Sequence, residues 1–136
     1  MKKIASLFVI ALFMLSVNAV AQKTMAYVST KTAKQEVDKQ MINFTFQLDN
    51  VNATTQQKYA DSFKKEQIVR DVTVKAGDAP NKASYTVKML KGGTIEALQR
   101  MFTKAQIETV NMDGKMVLTK DLVAYKNERQ SANKKK

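Results

Sequence analysis

The sequence predicts an α+β fold of the ferredoxin-like kind, βαββαβ, with an antiparallel sheet and two helices on one face. Three observations point there. Residues 41–48, MINFTFQL, alternate apolar and polar without a break, and so does KASYTVKML further on. A single stretch near residue 100 repeats its apolar residues at helical spacing. The segments also follow one another as strand, helix, strand, strand, helix, strand, the split βαβ order.

Ahead of these elements lies a leader. MKK is followed by an apolar run from Ile4 to Val17 and by the small-residue pattern Ala19, Val20, Ala21. A positive start, a short apolar run and an A-x-A site make a secretory signal peptide, too short to span a bilayer. Residues 1–21 are therefore set aside, with cleavage expected before Gln22, no transmembrane span thereafter and a periplasmic or secreted destination. With no cysteine after the apolar run, a lipid anchor is not expected, and no disulfide assists folding. Without Lys2 and Lys3, 21 basic residues face 12 acidic ones, a formal charge of +9. Such an excess favours anionic partners, and export narrows them to an envelope or secreted protein or an anionic envelope component rather than nucleic acid.

Residues 22–40 sustain neither period and read as an N-terminal extension, with a short strand at Ala26 to Ser29 or a helical turn near Lys34 to Lys39. Residues 41–122 form the domain. In its first strand Ile42, Phe44, Phe46 and Leu48 share one face, because strand side chains alternate. Asn52 or Thr54 caps the first helix, about Thr54 to Glu66, whose Tyr59 and Phe63 lie four apart. IVRDVTVK is the second strand, with Val72 and Val74 inward and Arg70 marking a bulge or an element end. AGDAPN is a turn. In the third strand Ala83, Tyr85, Val87 and Met89 point inward and Lys82, Ser84, Thr86 and Lys88 outward. Thr94 caps the second helix, which carries Ile95, Leu98, Met101, Phe102 and Ala105 on one stripe. Asp113 and Gly114 between short apolar runs mark a tight hairpin with both residues at positive φ. From Asp121 the chain continues as a short helix carrying Leu122, Val123 and Tyr125, and residues 123–136 are a basic C-terminal tail ending in SANKKK.

IVRDVTV, Ile68 to Val74, and GGTIEALQRMFTKAQIETV, Gly92 to Val110, resemble the heavy-metal-associated domain family in its turn into strand two and in its second helix and last strand. The likeness spans Asn43 to Val110. It implies the ferredoxin-like fold but no metal transfer: the family places two cysteines separated by two residues at the start of helix one, where this chain reads VNATTQQ, Val51 to Gln57. Asn, Ala, Thr and Gln offer a soft cation neither thiolate nor thioether. No metal-binding residue carries over.

With neither His nor Cys, the usual nucleophile, base and zinc arrangements are out of reach. Asp71, Asp78, Glu96, Glu108 and Asp113 form no recognisable pair, so neither enzymatic activity nor a cofactor is expected. Three candidates remain. Lys91, Gly92, Gly93 and Thr94 lead into a helix N-terminus and offer backbone N–H groups to an anion, against the plainer reading of a strand-to-helix turn. Met112 and Met116 flank the hairpin turn and would make a thioether copper site if they lay opposite each other, against the plainer reading of gap-filling core methionines. The third is the sheet face away from the helices, with Asn43, Thr45, Gln47, Thr73, Lys75, Lys82, Ser84, Thr86 and Lys88. It lacks the aromatics on which bases stack. The function expected is that of an exported non-enzymatic binding or adaptor module. The alternatives are a methionine-based copper carrier and an electrostatic envelope-binding protein; the oligomeric state is open.

Overall fold

The computed structural model describes residues 23–134, so the leader lies outside the described residues. Strands β1 (Ala26–Val28), β2 (Lys34–Glu36) and β3 (Met41–Leu48) come first, then helix α1 (Ala53–Lys64). Strands β4 (Val69–Ala76) and β5 (Ala83–Leu90) lead to helix α2 (Thr94–Lys104). The hairpin β6 (Thr109–Met112) and β7 (Lys115–Leu118) is followed by a single 3-10 turn and helix α3 (Leu122–Lys134).

The ferredoxin-like βαββαβ expectation is overturned. One mixed seven-stranded sheet runs in the order β4-β5-β3-β1-β6-β7, with β2 also on β3, and three helices accompany it among the described residues. The departure comes from the segment read as an extension. β1 wedges between β3 and β6, antiparallel to the first and parallel to the second, while β2 makes a hairpin with β3 through residues 37–40. Neither three-residue strand is long enough to display a period. Polar side chains hold them instead. Asp49 accepts the amide of Met25 at 2.6 Å, Asp113 accepts that of Thr30 at 2.9 Å, and Asp38 accepts those of Gln40 and Met41 at 2.7 and 2.9 Å. Buried backbone groups must find partners, and here short strands are fixed by carboxylates rather than by long ladders.

The three long strands follow the alternation. Ile42, Phe44, Phe46 and Leu48 are buried on β3, and Ala83, Tyr85, Val87 and Met89 on β5. On β4 the register slips between Val69 and Asp71, so Arg70 sits in a bulge. The turn that follows closes with Gly77 N–H donating to Lys82 O at 3.0 Å. A Cβ at Gly77 would lie 2.8 Å from the Lys82 backbone, which is why glycine stands there.

Helix α1 starts at Asn52, whose side chain accepts the amides of Thr54 and Thr55 while the Thr55 hydroxyl oxygen accepts the Asn52 amide. This reciprocal cap satisfies donors that a helix start leaves orphaned. Helix α2 buries Ala97, Leu98, Met101 and Phe102. Its N-cap is Gly93, at φ +68°, and Thr94 is already inside the first turn, so the cap expected from Thr94 is supplied by the backbone bend of Gly93. The core centres on Phe46, with ring centroids of Phe102, Phe63 and Tyr85 at 5.1, 5.6 and 5.7 Å. The stretch read as a tail is helix α3, anchored by buried Leu122 and by the amide of Val123 donating to Gln99 Oε1 at 3.1 Å.

Candidate binding face

The helices leave the other face of the sheet uncovered, and strand register arranges its side chains in rows. Lys75, Ser84, Gln47, Tyr27, Asn111 and Met116 are consecutive cross-strand partners over six strands. Beside them runs Thr73, Thr86 and Thr45, with the last two hydroxyl oxygens 3.2 Å apart. A third row holds Asp71, Lys88, Asn43 and Gln35. Cross-strand neighbours are close enough to interact, so each row is a continuous strip of amide, hydroxyl and ammonium groups.

Where β1 leaves the sheet before β2 begins, this face sinks into a dish of about 290 Å³, rimmed by Tyr27, Ser29, Thr32, Thr45, Gln47 and Asn111. Tyr27 is central to it. Its hydroxyl donates to Asp49 Oδ2 at 3.1 Å, and burial together with that carboxylate pushes its phenol above the usual range. The Lys82 ammonium lies 4.0 Å from the Tyr27 ring centroid and 3.8 Å from Asp78. Gln47 exchanges hydrogen bonds with Asp78, through its amide nitrogen at 3.4 Å and its oxygen at 3.3 Å. Lys82 and Gln47 are thus tied down.

Lys75 and Lys88 differ from Lys82. Six carboxylates pair with cations elsewhere: Glu108 with Lys23, Asp78 with Lys82, Glu36 with Lys91, Glu66 with Arg100, Glu96 with Lys126 and Asp113 with Arg129. Neither Lys75 nor Lys88 forms an ion pair among the described residues. The face therefore presents two lysines outside any ion pair over a hydrogen-bonding strip, with Asp71 as the one carboxylate beside Lys88 across the strands.

The other two candidates are placed differently. Lys91 is ion-paired with Glu36. Gly92 and Gly93, at φ +87° and +68°, make the bend into α2. Glu96, in the first turn, turns its carboxylate back to its own backbone amide and accepts from Lys126 at 3.2 Å, which holds its carboxyl below the usual range. A carboxylate already answers this helix N-terminus. Lys91, Gly92, Gly93 and Thr94 are brought together, with Thr94 buried. Met112 and Met116 are not. Met112 pairs with Lys115 and Met116 with Asn111, so the two methionines lie on opposite faces of the hairpin; Met112 is 5% exposed in the core and Met116 is 54% exposed on the open face. Their sulfurs cannot share one ion from one side. Among the described residues no group of three or more His, Cys, Asp or Glu side chains is arranged to hold a metal, and no helix is long and apolar enough to cross a membrane.

Of the open face, parity in β3, β4 and β5 identifies nine members from sequence. Tyr27, Gln35, Asn111 and Met116 are not among them, because they belong to strands of three or four residues, and neither is Asp71, which stands beside the Arg70 bulge in β4. The tyrosine itself, a large amphipathic residue in a polar stretch, was the one available signal. No family model, curated protein or solved structure matches this chain.

Proposed function

We propose that the protein is an exported, non-enzymatic binding module that docks an anionic partner of the cell envelope against the uncovered face of its sheet. One observation carries this reading: Lys75 and Lys88 stand without ion pairs among the described residues on a face otherwise made mostly of hydroxyls and amides, whose other lysine, Lys82, is paired with Asp78 and whose free carboxylate is Asp71, the cross-strand neighbour of Lys88. Charge of this kind steers an oppositely charged partner and fixes its orientation, and the amides and hydroxyls supply short-range specificity. The basic mature composition and the leader pattern of residues 1–21 support the same reading.

The double substitution Lys75→Glu with Lys88→Glu tests it. Because Lys88 is half-buried opposite Asp71, Lys75→Gln with Lys88→Gln is made in parallel to remove the charge without a like-charge pair, and its thermal stability should stay within about 0.5 kcal/mol of the parent. Mild crosslinking in the native envelope should yield a defined complex for the parent, weakened at least tenfold in each variant and by raised salt. Recovery of the parent alone, or a complex indifferent to both changes, would sink the proposal.

A further inference from the structure

β7 ends one side of the sheet with its outer edge unpaired among the described residues. A two-residue turn makes Met112 and Lys115 a hydrogen-bonded pair, and pairs then alternate along an antiparallel hairpin. Val110 and Val117 are bonded next, and the amide of Thr119 reaches Glu108 O at 2.8 Å. Met116 and Leu118 fall between, so their N–H and C=O groups point outward. Their side chains are also exposed, at 54% and 47%, two of the largest apolar exposures in the described residues. An edge with outward backbone groups and exposed apolar side chains is a template for another strand.

We infer that β7 is a docking edge for an extended, acidic peptide segment of a partner protein, which adds a strand to the sheet. Charge selects the occupant. Lys115, at the turn end, forms no ion pair among the described residues and the nearby Asp113 is taken up by Arg129, so an acidic residue at that end of an incoming segment is matched, while at the other end Lys120 adjoins Asp121. A second copy of this chain fits less well, because it brings the same lysines and net positive charge to a four-residue edge, far short of the roughly 800 Å² per partner of a stable interface. The inference rests on the binding-module reading and makes the partner a protein.

The test titrates the 15N-labelled protein with a ten-residue synthetic peptide of alternating valine and threonine flanked by glutamates, and with its lysine-flanked twin. The acidic peptide should shift the amides of Met116 and Leu118 and slow their exchange, binding at least tenfold more tightly than the twin. Met116→Glu with Leu118→Glu, both at exposed positions, removes the apolar contacts and repels the acidic peptide, and should abolish those shifts while leaving the fold intact. No shift at β7, shifts confined to Thr45, Thr86 and Lys88, or a peptide-independent dimer through β7 would each overturn the inference. If the envelope complex is still lost in the Lys75→Glu, Lys88→Glu variant, the binding-module reading survives that failure. If β7 binds the peptide but the protein is recovered alone from the envelope, the reverse holds.

Discussion

The two halves of the sheet are built by different means. In β3, β4 and β5, eight-residue strands pair along nearly their whole length, and alternation places an aromatic and aliphatic face on the core. In β1, β2, β6 and β7, strands of three or four residues are held by single polar side chains: Asp49, Asp38, Asp113 and Thr119, whose buried hydroxyl donates to Ile107 O at 2.5 Å. Long strands draw stability from many weak, redundant contacts. The short ones depend on a few strong, individually essential bonds, so damage to the first half should be spread over the molecule and damage to the second should be local.

The largest expected effect is in the shared core. Phe46→Ala removes the ring that touches Phe63, Tyr85 and Phe102 and should cost about 3–5 kcal/mol in urea unfolding. If β6 and β7 kept their amide protection in that variant, the halves would be independent folding units and the contrast sharper than drawn here.

Asp49→Ala comes next. It removes the acceptor of both the Met25 amide and the Tyr27 hydroxyl and should cost about 2 kcal/mol. Hydrogen exchange should speed up in β1 while β5 stays protected. Equal loss in both strands would break the distinction between the halves.

Gly114→Ala should cost about 1 kcal/mol, because φ at this turn is +90° and nothing lies within 4 Å of the added methyl. A loss well above that would mean the hairpin register itself had moved, which loss of cross-strand contacts between Asn111 and Met116 would reveal.

The smallest effect is in acid. Hydrogen bonds from the Thr30 hydroxyl and amide, with Arg129 nearby, hold the Asp113 carboxyl below its usual range. A depressed folded value means the unfolded chain binds more protons in the window between the two. The contribution is therefore complete above the ordinary carboxylate range of about 4 and is lost as pH falls through the folded value. Asp113→Asn should flatten the acid limb of a stability–pH curve and leave the neutral region nearly unchanged in slope. An unaltered acid limb would remove Asp113 from the account of how β1 is tethered.

The same division explains what could be read from sequence. β3, β5, α2, the Arg70 bulge and the Asp113–Gly114 turn, observed with φ of +55° and +90°, each declare themselves by period or turn chemistry. β1 and β2 declare themselves only in part. The short strand expected at Ala26 to Ser29 is β1, while Lys34–Glu36 is a strand and not the helical turn given as the alternative; neither three-residue segment shows its place in the sheet, which Asp49, Asp38 and Asp113 fix from outside the strands. Leaving both out of the sheet is what made the expected four-strand arrangement the wrong fold. The open face was legible in β3, β4 and β5 apart from Asp71, and the offset of Met112 from Met116 follows from the two-residue Asp113–Gly114 turn, which pairs Met112 with Lys115.

β1 also sets the order in which the molecule can be finished. Its parallel partner begins 84 residues downstream, Ala26 against Val110, and closing so long a loop is slow compared with making local hairpins. A chain that emerges from its N-terminus, from a ribosome or through a membrane pore, must carry β1 without that partner until nearly all of it has appeared. Closure of the sheet at β1 is therefore a late event, open only to chains extended as far as Met112.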